Sequence, residues 1–174
     1  MGCSNQVEFL RRHAHLVKGP VLEVGSKRYG KSGYDLRQLL PGIEYVGADL
    51  EAGPGVDAIA DLSAPITETR AVLGWSGFRS VVCFSVLEHC SAPWQMARNI
   101  EALTYKGGLL FVSVPWVWKE HNYPADFWRF SEAGIRALFP CFDWDQYPVE
   151  KYECSQPVKH LLTPTLINAI GVRK

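Results

Sequence analysis

Residues 80–115 read SVVCFSVLEHCSAPWQMARNIEALTYKGGLLFVSVP, and this stretch decides the fold class. The run SVVCFSV is apolar and β-prone, which is typical of a buried central strand. The segment PWQMARNIEAL then places Met96, Ile100 and Leu103 on one helical face, and Pro93 suits a first helical turn. GGLLFVSVP follows as a second buried strand. This order predicts two parallel strands joined by a crossover helix.

The same alternation continues on both sides of this unit. Upstream, we expect an amphipathic helix over residues 4–17, the strands PVLEV, IEYVGAD and VDAIAD, and helical segments in YDLRQLL and ITETRAVLG, the latter ending at Gly74. Downstream, a helix capped by Ser131 precedes two last strands, FDWDQYPVE and TLINAIGV. The pattern predicts a Rossmann-like, doubly wound α/β sheet that is mostly parallel and covered on both faces.

Length and composition restrict the class of protein. The 174 residues fit a single domain over residues 1–174, and the formal net charge of zero makes nucleic acid an unlikely partner. The five cysteines form no CxxC pair, so a zinc site or disulfide framework is not expected. The longest apolar run is too short to cross a bilayer. We therefore expect a cytoplasmic protein without a membrane partner, and the sequence leaves its oligomeric state open.

Glycines and carboxylates follow the predicted strands where a ligand would bind. The first strand runs into EVGSKRYG, in which Gly25 lets the backbone turn sharply and approach a ligand. The loop does not read GxGxxG, so a nicotinamide dinucleotide site has weak support. The second strand ends at Asp49, whose carboxylate can accept both hydroxyl protons of a ribose. Asp61 ends the third strand, where turn chemistry is nearly as good an explanation.

In their order and spacing, these segments resemble the class I S-adenosylmethionine-dependent methyltransferases. The matching pieces are VLEVGSKRYG, YVGADLEAGPGVD, IADLSAP, VVCFSVLEHCSAPW, YKGGLLFVSVP and HNYPADFWRF. The resemblance implies a seven-stranded sheet with the last strand antiparallel, and S-adenosyl-L-methionine bound across the carboxyl ends of strands one, two and four. The cofactor-binding residues that it implies are Glu23, Gly25, Ser26 and Gly30 in the first loop, Asp49 and Leu50 at the ribose, Asp61 and Leu62 at the adenine, and Ser85 near the sulfonium.

The first loop departs from the family pattern. Lys27 and Arg28 stand where these methyltransferases usually have further glycines. We favour the interpretation that the two cations pair with the cofactor carboxylate. The alternative is that they crowd the site.

The acceptor side of the site is expected on a lid-like aromatic loop over residues 115–130. Of the histidines near the crevice, His121 is the favoured general base and His89 the second candidate, although a structural histidine is the more frequent outcome. The loop residues expected to line the acceptor pocket are Tyr123, Asp126, Trp128 and Arg129. The alternative is that Trp128 and Phe130 plug the core and that Asp126 pairs with Arg129 to hold the loop, and the two interpretations are compatible.

Metal-ligating residue types also occur here. Glu88, His89 and His121 offer one carboxylate and two imidazoles, which is a thin ligand set. We favour structural packing for them, and no metal is predicted.

Three functions remain open at this point. The first is methyl transfer from S-adenosylmethionine to a small polar or sugar-like acceptor, which the compact length and zero net charge favour. The second is modification of RNA, DNA or protein with recognition supplied by a partner chain. The third is a non-catalytic binding or assembly module that retains the fold. The sequence does not identify the acceptor, and the pathway stays open.

Overall fold

A central β-sheet organises the chain. The computed structural model describes residues 4–29, 35–121, 125–153 and 165–174. Strands follow one another in the sheet in the order β3-β2-β1-β4-β5-β8-β6, and β7 also pairs with β8. The strands are β1 (Val21–Val24), β2 (Tyr45–Asp49), β3 (Ala58–Ile59), β4 (Phe78–Phe84), β5 (Thr104–Val117), β6 (Phe142–Asp143), β7 (Glu150–Glu153) and β8 (Thr165–Arg173).

The pairing directions confirm the predicted fold class. Strands β3, β2, β1, β4 and β5 are all parallel, whereas β8 runs antiparallel to β5. The strand β5 pairs with nearly the whole of one edge of β8. The short strands β6 and β7 therefore pair with different parts of its other edge. The sheet therefore has seven strand positions, and the predicted single strand FDWDQYPVE is two short strands that share the seventh.

Helices cover both faces of the sheet. On one face, α1 (Ser4–His13) and the 3-10 turn Leu36–Leu39 pack on Val21, Val82 and Phe111. On the other face lie α2 (Ile66–Leu73), α3 (Pro93–Leu103) and α4 (Glu132–Leu138), which bury an apolar core against β1, β4 and β5. The two-sided cover is the consequence of strands that are apolar on both faces.

Local sequence signals set the helix boundaries. Pro93 occupies the first turn of α3, Gly74 ends α2 with φ +67°, and the Ser131 hydroxyl accepts a hydrogen bond of 3.1 Å from the Gly134 amide at the start of α4. Two expected helices are shorter than predicted. The opening α-helix ends at His13 and continues as the 3-10 turn Ala14–Leu16, and YDLRQLL forms only one 3-10 turn, because Pro41-Gly42 follows at once.

The parallel strands bring the predicted site residues to one edge of the sheet. The carboxyl ends of β1, β2 and β4 are neighbours, since β1 lies between the other two. Crevices in open α/β sheets form at this edge, where strand order reverses. Across the described parts of the chain, none of the helices has the length and apolar character that crossing a bilayer requires.

Candidate functional site

The turn after β1 requires glycine. Gly25 has φ +76°, and its amide donates a 2.8 Å hydrogen bond to the Ala48 carbonyl of β2. A Cβ atom added to Gly25 would overlap the Val86 side chain, which follows β4. Both the left-handed backbone and the close approach exclude a side chain here. The first loop therefore crosses the carboxyl ends of β2 and β4, as the sequence predicts.

Asp49 faces this glycine turn. It is the last residue of β2, it is half-buried, and its Oδ2 accepts a hydrogen bond of 2.9 Å from the Lys27 amide. Its Oδ1 accepts a longer and therefore weaker hydrogen bond, of 3.3 Å, from the Glu51 amide. The sequence predicts that Asp49 and the glycine turn lie close together, and the structure places them in contact. Gly30, the second glycine of this prediction, lies outside the described residues.

The two cations of the first loop already have carboxylate partners. Lys27 Nζ lies 2.6 Å from Glu51 Oε2, and an Arg28 nitrogen lies 2.9 Å from Asp35 Oδ2. The Arg28 amide also donates to the Pro54 carbonyl at 2.9 Å, which holds the loop against the segment between β2 and β3. These ion pairs brace the first loop, and pairing of the two cations with a cofactor carboxylate stays a prediction.

Glu23 and Ser26 are placed differently from the resemblance. Glu23 Oε2 accepts a 2.6 Å hydrogen bond from the Tyr45 hydroxyl on the face that α1 covers. Ser26 is 3% exposed, and its Oγ would lie 2.7 Å from a Cβ on Gly47, so its side chain packs on β2 instead of pointing outward. A cofactor contact of Ser26 stays a prediction that rests on its backbone, which is part of the turn.

Glu23 gives the fold a pH dependence. Burial raises the pKa of Glu23 from 4.5 to about 7, although the Tyr45 hydrogen bond opposes the shift. Between pH 4.5 and about 7, the Glu23 carboxyl group is ionised in the unfolded chain but protonated in the folded chain. The stability that this group contributes is therefore present below pH 4.5 and is lost as the pH rises towards 7. Glu23→Gln is expected to raise the free energy of unfolding at pH 8 by about 1–3 kcal/mol over wild type and to change it little at pH 4.

Chemical denaturation at the two pH values measures this difference. The exposed Glu44→Gln is the matched control, and it should follow wild type at both. An equal effect of Glu23→Gln at pH 4 and pH 8 would contradict the raised pKa.

Two exposed apolar side chains flank Asp49. Leu50 is 61% exposed and Ile59, which pairs in register with Asp49, is 56% exposed. Apolar side chains left open beside a polar group are typical of a ligand site. Leu50 was a predicted cofactor contact, whereas sequence reasoning missed Ile59; its position at the end of β3 was the available signal.

Asp61 and Leu62, the two residues predicted to contact adenine, make contacts within the protein. Asp61 Oδ1 accepts hydrogen bonds from the Ser63 amide at 2.7 Å and the Ser63 hydroxyl at 2.6 Å, which is the turn alternative for this residue. Leu62 is 2% exposed and belongs to the core beneath α2 and α3. The predicted packing of Leu62 on an adenine ring is therefore corrected to packing in the core.

Ser85 has a strained backbone at the carboxyl end of β4. Its φ of +52° is the only positive value among the non-glycine residues that the structure describes. Such outliers persist where the surroundings hold them, often at functional sites. The Ser85 amide donates to the Ser113 carbonyl at 2.8 Å.

The first helix contacts the segment after β4 and the strand β5. The Gln6 amide nitrogen donates to Ser85 Oγ at 2.7 Å and to Ser113 Oγ at 2.9 Å, so α1 is tied to the residue after β4 and to the interior of β5. Sequence reasoning missed Gln6. The signal was a polar residue one helical turn from Phe9 and Leu10, on the apolar face of the helix.

The aromatic loop is held by internal bonds. Asp126, whose side chain is 0% exposed, accepts two hydrogen bonds from Arg129, at 2.5 and 2.7 Å, and one of 2.8 Å from the His121 amide. The hydrogen bonds from Arg129 hold the pKa of Asp126 far below its ordinary range. Asp126 and Arg129 therefore hold the loop, which is the stated alternative, and contact of either residue with the acceptor stays a prediction.

Trp128 is tied to the segment after β4. Its indole nitrogen donates to the Cys90 carbonyl at 2.8 Å, and its ring meets that of Trp94 edge-on, with 6.0 Å between centroids. Because Trp128 is 37% exposed, it does not plug the core, and its contact with an acceptor stays a prediction. Tyr123, the other predicted aromatic contact, lies outside the described residues.

The loop places His121 beside His89 and Glu88. The two imidazole centroids are 4.9 Å apart, and ligand atoms of Glu88, His89 and His121 all lie within 4.8 Å of one another. Burial raises the pKa of Glu88 to about 7 and lowers the pKa of His89. The cluster is therefore polar, with a neutral imidazole favoured at His89, in a setting that excludes much of the solvent.

Comparison with known proteins adds the fold family. No protein-family model matches the sequence, and no curated protein matches it significantly. Among solved structures, 1,6-didemethyltoxoflavin-N1-methyltransferase of Burkholderia thailandensis, crystallised with 1,6-didemethyltoxoflavin and S-adenosylhomocysteine, is similar with a TM-score of 0.66 at 16% identity. The similarity covers 97% of this chain and 76% of that one.

Two further solved structures share the architecture. The N-methyltransferase NodS of Bradyrhizobium japonicum WM9, in complex with S-adenosylhomocysteine, gives a TM-score of 0.66 at 14% identity, over 98% of this chain and 86% of that one. Magnesium protoporphyrin IX methyltransferase of Synechocystis PCC 6803, with bound S-adenosylmethionine, gives 0.59 at 17% identity, over 98% and 77%. The predicted resemblance is thereby confirmed at the level of the fold.

Proposed function

We propose that this chain, which has the fold of class I S-adenosylmethionine-dependent methyltransferases, transfers a methyl group from S-adenosyl-L-methionine to a small polar or sugar-like acceptor. One observation carries the proposal. The Asp49 carboxylate accepts a hydrogen bond from the loop that begins at Gly25, so an acid suited to bind a diol lies beside a glycine turn at the same edge of the sheet.

The remaining groups around this crevice fit the parts of the cofactor. The Gly25 turn would receive the methionine part, and Asp49 would accept the two ribose hydroxyl protons. Leu50 and Ile59, both mostly exposed, offer an apolar surface to the adenine ring. Ser85, at the end of β4, would lie near the sulfonium. The solved structures above that hold S-adenosylmethionine or S-adenosylhomocysteine support this choice of cofactor.

Methyl transfer from a sulfonium requires few covalent steps that involve protein groups. The donor is already activated, so the protein has to align the acceptor with the methyl group and exclude water. The Gln6 bridge from α1 to Ser85 and the anchored aromatic loop are suited to exclude water.

A base is needed only when the acceptor must lose a proton. His121 Nδ1 lies 3.0 Å from Asp126 Oδ2, which orients the imidazole and leaves Nε2 as the nitrogen that can accept a proton. The assignment of His121 as that base stays a prediction, with His89 as the second candidate.

The proposed acceptor class rests on the net charge of the chain and on a similar solved structure. The sequence has equal numbers of basic and acidic residues, 18 of each, which gives no overall attraction to phosphate backbones. A similar solved structure holds a small heterocyclic molecule, 1,6-didemethyltoxoflavin. Both facts favour a small acceptor over RNA, DNA or protein.

Isotope transfer tests the proposal. The purified protein, incubated with methyl-labelled S-adenosylmethionine and a metabolite extract, is expected to release S-adenosylhomocysteine and to label a small polar compound, as measured by mass spectrometry. Label found in added RNA, DNA or protein would contradict the acceptor class. An absence of S-adenosylhomocysteine with every acceptor pool would contradict the enzymatic activity itself.

A further inference from the structure

We infer that Glu88, His89 and His121 bind one divalent transition-metal ion, with zinc as the type case. One atom from each of these side chains lies within 4.8 Å of the others. Two imidazole nitrogens and one carboxylate oxygen are a ligand set that zinc, iron and nickel favour over magnesium or calcium. The thin ligand set noted in the sequence is thus assembled in space by elements far apart in the chain.

Hydrogen bonds fix both imidazoles for this role. His89 Nδ1 lies 2.6 Å from the Ala125 carbonyl oxygen, which can only accept, so Nδ1 carries the hydrogen. The neighbours of His121 Nδ1 are also acceptors, the Asp126 carboxylate at 3.0 Å and the Lys119 carbonyl at 3.3 Å. In a neutral imidazole bound in this way, the lone pair is on Nε2. Carbonyl and carboxylate partners behind Nδ1 are the arrangement found behind histidines that bind metals.

The third ligand is a buried carboxylate, one oxygen of which has no hydrogen-bond donor. Glu88 is 1% exposed, and its Oε2 has no hydrogen-bond partner. Its Oε1 lies 3.9 Å from His89 Nε2, so the carboxylate points to the nitrogen that carries the lone pair. A buried carboxylate oxygen without a partner is costly, and a cation in this position would supply the missing interaction.

An ion can reach the cluster from solvent, because both imidazoles are partly exposed. The His89 and His121 side chains are 15% and 28% exposed, so the cluster opens to solvent on the imidazole side. Bonds of roughly 2.0–2.2 Å in a tetrahedral site place ligand atoms about 3.4 Å apart, so the three atoms need to approach one another by about 1 Å. Three protein ligands leave a coordination position for water or for an acceptor oxygen.

The ion would act on the acceptor of the proposed methyltransferase. A hydroxyl bound at the open position would have a lowered pKa, which would remove the need for a protein base. His121 Nε2 would then be a ligand and not the base. This catalytic role rests on the proposed function, whereas binding of the ion does not.

Titration of metal-free protein tests the site. After treatment with EDTA and dialysis, the full chain is titrated with Co²⁺, followed by visible absorption, and with Zn²⁺, followed by calorimetry. We expect one equivalent of each ion and a visible absorption band of bound Co²⁺. His121→Ala is expected to weaken binding of either ion by at least about 10-fold, because loss of even an outer-shell partner costs 10–100-fold. The exposed histidine variant His15→Ala is the control and should match wild type.

Glu88→Gln separates ligation from folding. Glutamine keeps the shape of the buried side chain and removes the anionic oxygen, so it should also weaken Co²⁺ binding by at least about 10-fold. Thermal unfolding of each variant without metal confirms that the fold is retained. Wild-type protein that takes up no stoichiometric Co²⁺ or Zn²⁺, or folded His121→Ala protein with unchanged affinity, would overturn the site. S-adenosylhomocysteine binding by the same metal-free protein is independent, so the two proposals fail separately.

Discussion

Replacement of Gly25 by alanine is expected to lower the free energy of unfolding by about 2–5 kcal/mol. A non-glycine residue with the left-handed φ of +76° costs about 1–2 kcal/mol, and the added methyl group overlaps the Val86 side chain, for which overpacking costs about 1–3 kcal/mol more. Because total stabilities are commonly about 5–15 kcal/mol, this loss is large. Urea denaturation measures it.

A matched glycine separates the two causes. Gly42 has the same φ of +76°, and a Cβ there meets nothing within 4 Å, so Gly42→Ala should cost only the backbone strain, about 1–2 kcal/mol. Val86→Ala removes the overlapping methyl groups and leaves the Val86 Cβ at an ordinary 3.6 Å. In a double-mutant cycle, Val86→Ala should therefore recover about 1–3 kcal/mol of the Gly25→Ala loss. Equal losses at Gly25 and Gly42, without recovery in the cycle, would show that the close approach is not present.

Replacement of Asp49 by alanine is expected to weaken S-adenosylhomocysteine binding by about 1–3 kcal/mol, or roughly 5- to 150-fold, because hydrogen bonds to a charged carboxylate are lost. Calorimetric titration measures the affinity. Asp145→Ala, at a mostly exposed acid of the loop between β6 and β7, serves as the control and should bind like wild type.

A second substitution distinguishes cofactor contact from support of the loop. Asp49 also accepts hydrogen bonds from the Lys27 amide at 2.9 Å and the Glu51 amide at 3.3 Å. Asp49→Asn can keep the shorter bond, from Lys27, through its carbonyl oxygen and loses only the longer one. The asparagine NH₂ would then offer a donor where a ribose hydroxyl needs an acceptor. Asp49→Asn should therefore weaken binding nearly as much as alanine does. Wild-type affinity in Asp49→Asn would show that the carboxylate only supports the turn.

The sequence predicts those features that short segments determine. Apolar runs located the central strands, and the alternation with helices established the parallel sheet. Gly25 and Asp49 were identified because strand ends in such sheets meet at one edge, which the structure confirms by the hydrogen bond from Lys27 to Asp49. Helix boundaries at Gly74, Pro93 and Ser131 follow from local backbone chemistry alone.

Features that depend on distant partners could not be predicted. Gln6 donates to residues 79 and 107 positions away, and no local pattern shows such a bond. Lys27 was assigned to the cofactor because its partner Glu51, 24 residues later, is not visible as a partner in the sequence. Leu62 has the residue type of either a core or a ligand contact, and only its burial decides between them.

The histidine cluster shows the same limit more strongly. Glu88 and His89 are neighbours in the chain, but His121 reaches them only because the aromatic loop folds back on the segment after β4. The Phe127 amide, which donates to the Glu88 carbonyl at 2.8 Å, fixes that approach. Proximity of the three side chains is a property of the folded loop and could not be obtained from their spacing.

The central claim is that the turn at Gly25 and the acid Asp49 hold one nucleoside-amino acid molecule between them. Calorimetric titration of the wild-type protein with S-adenosylhomocysteine tests this most directly. We predict saturable binding at one site per chain. No heat of binding and no thermal shift at millimolar ligand would contradict it.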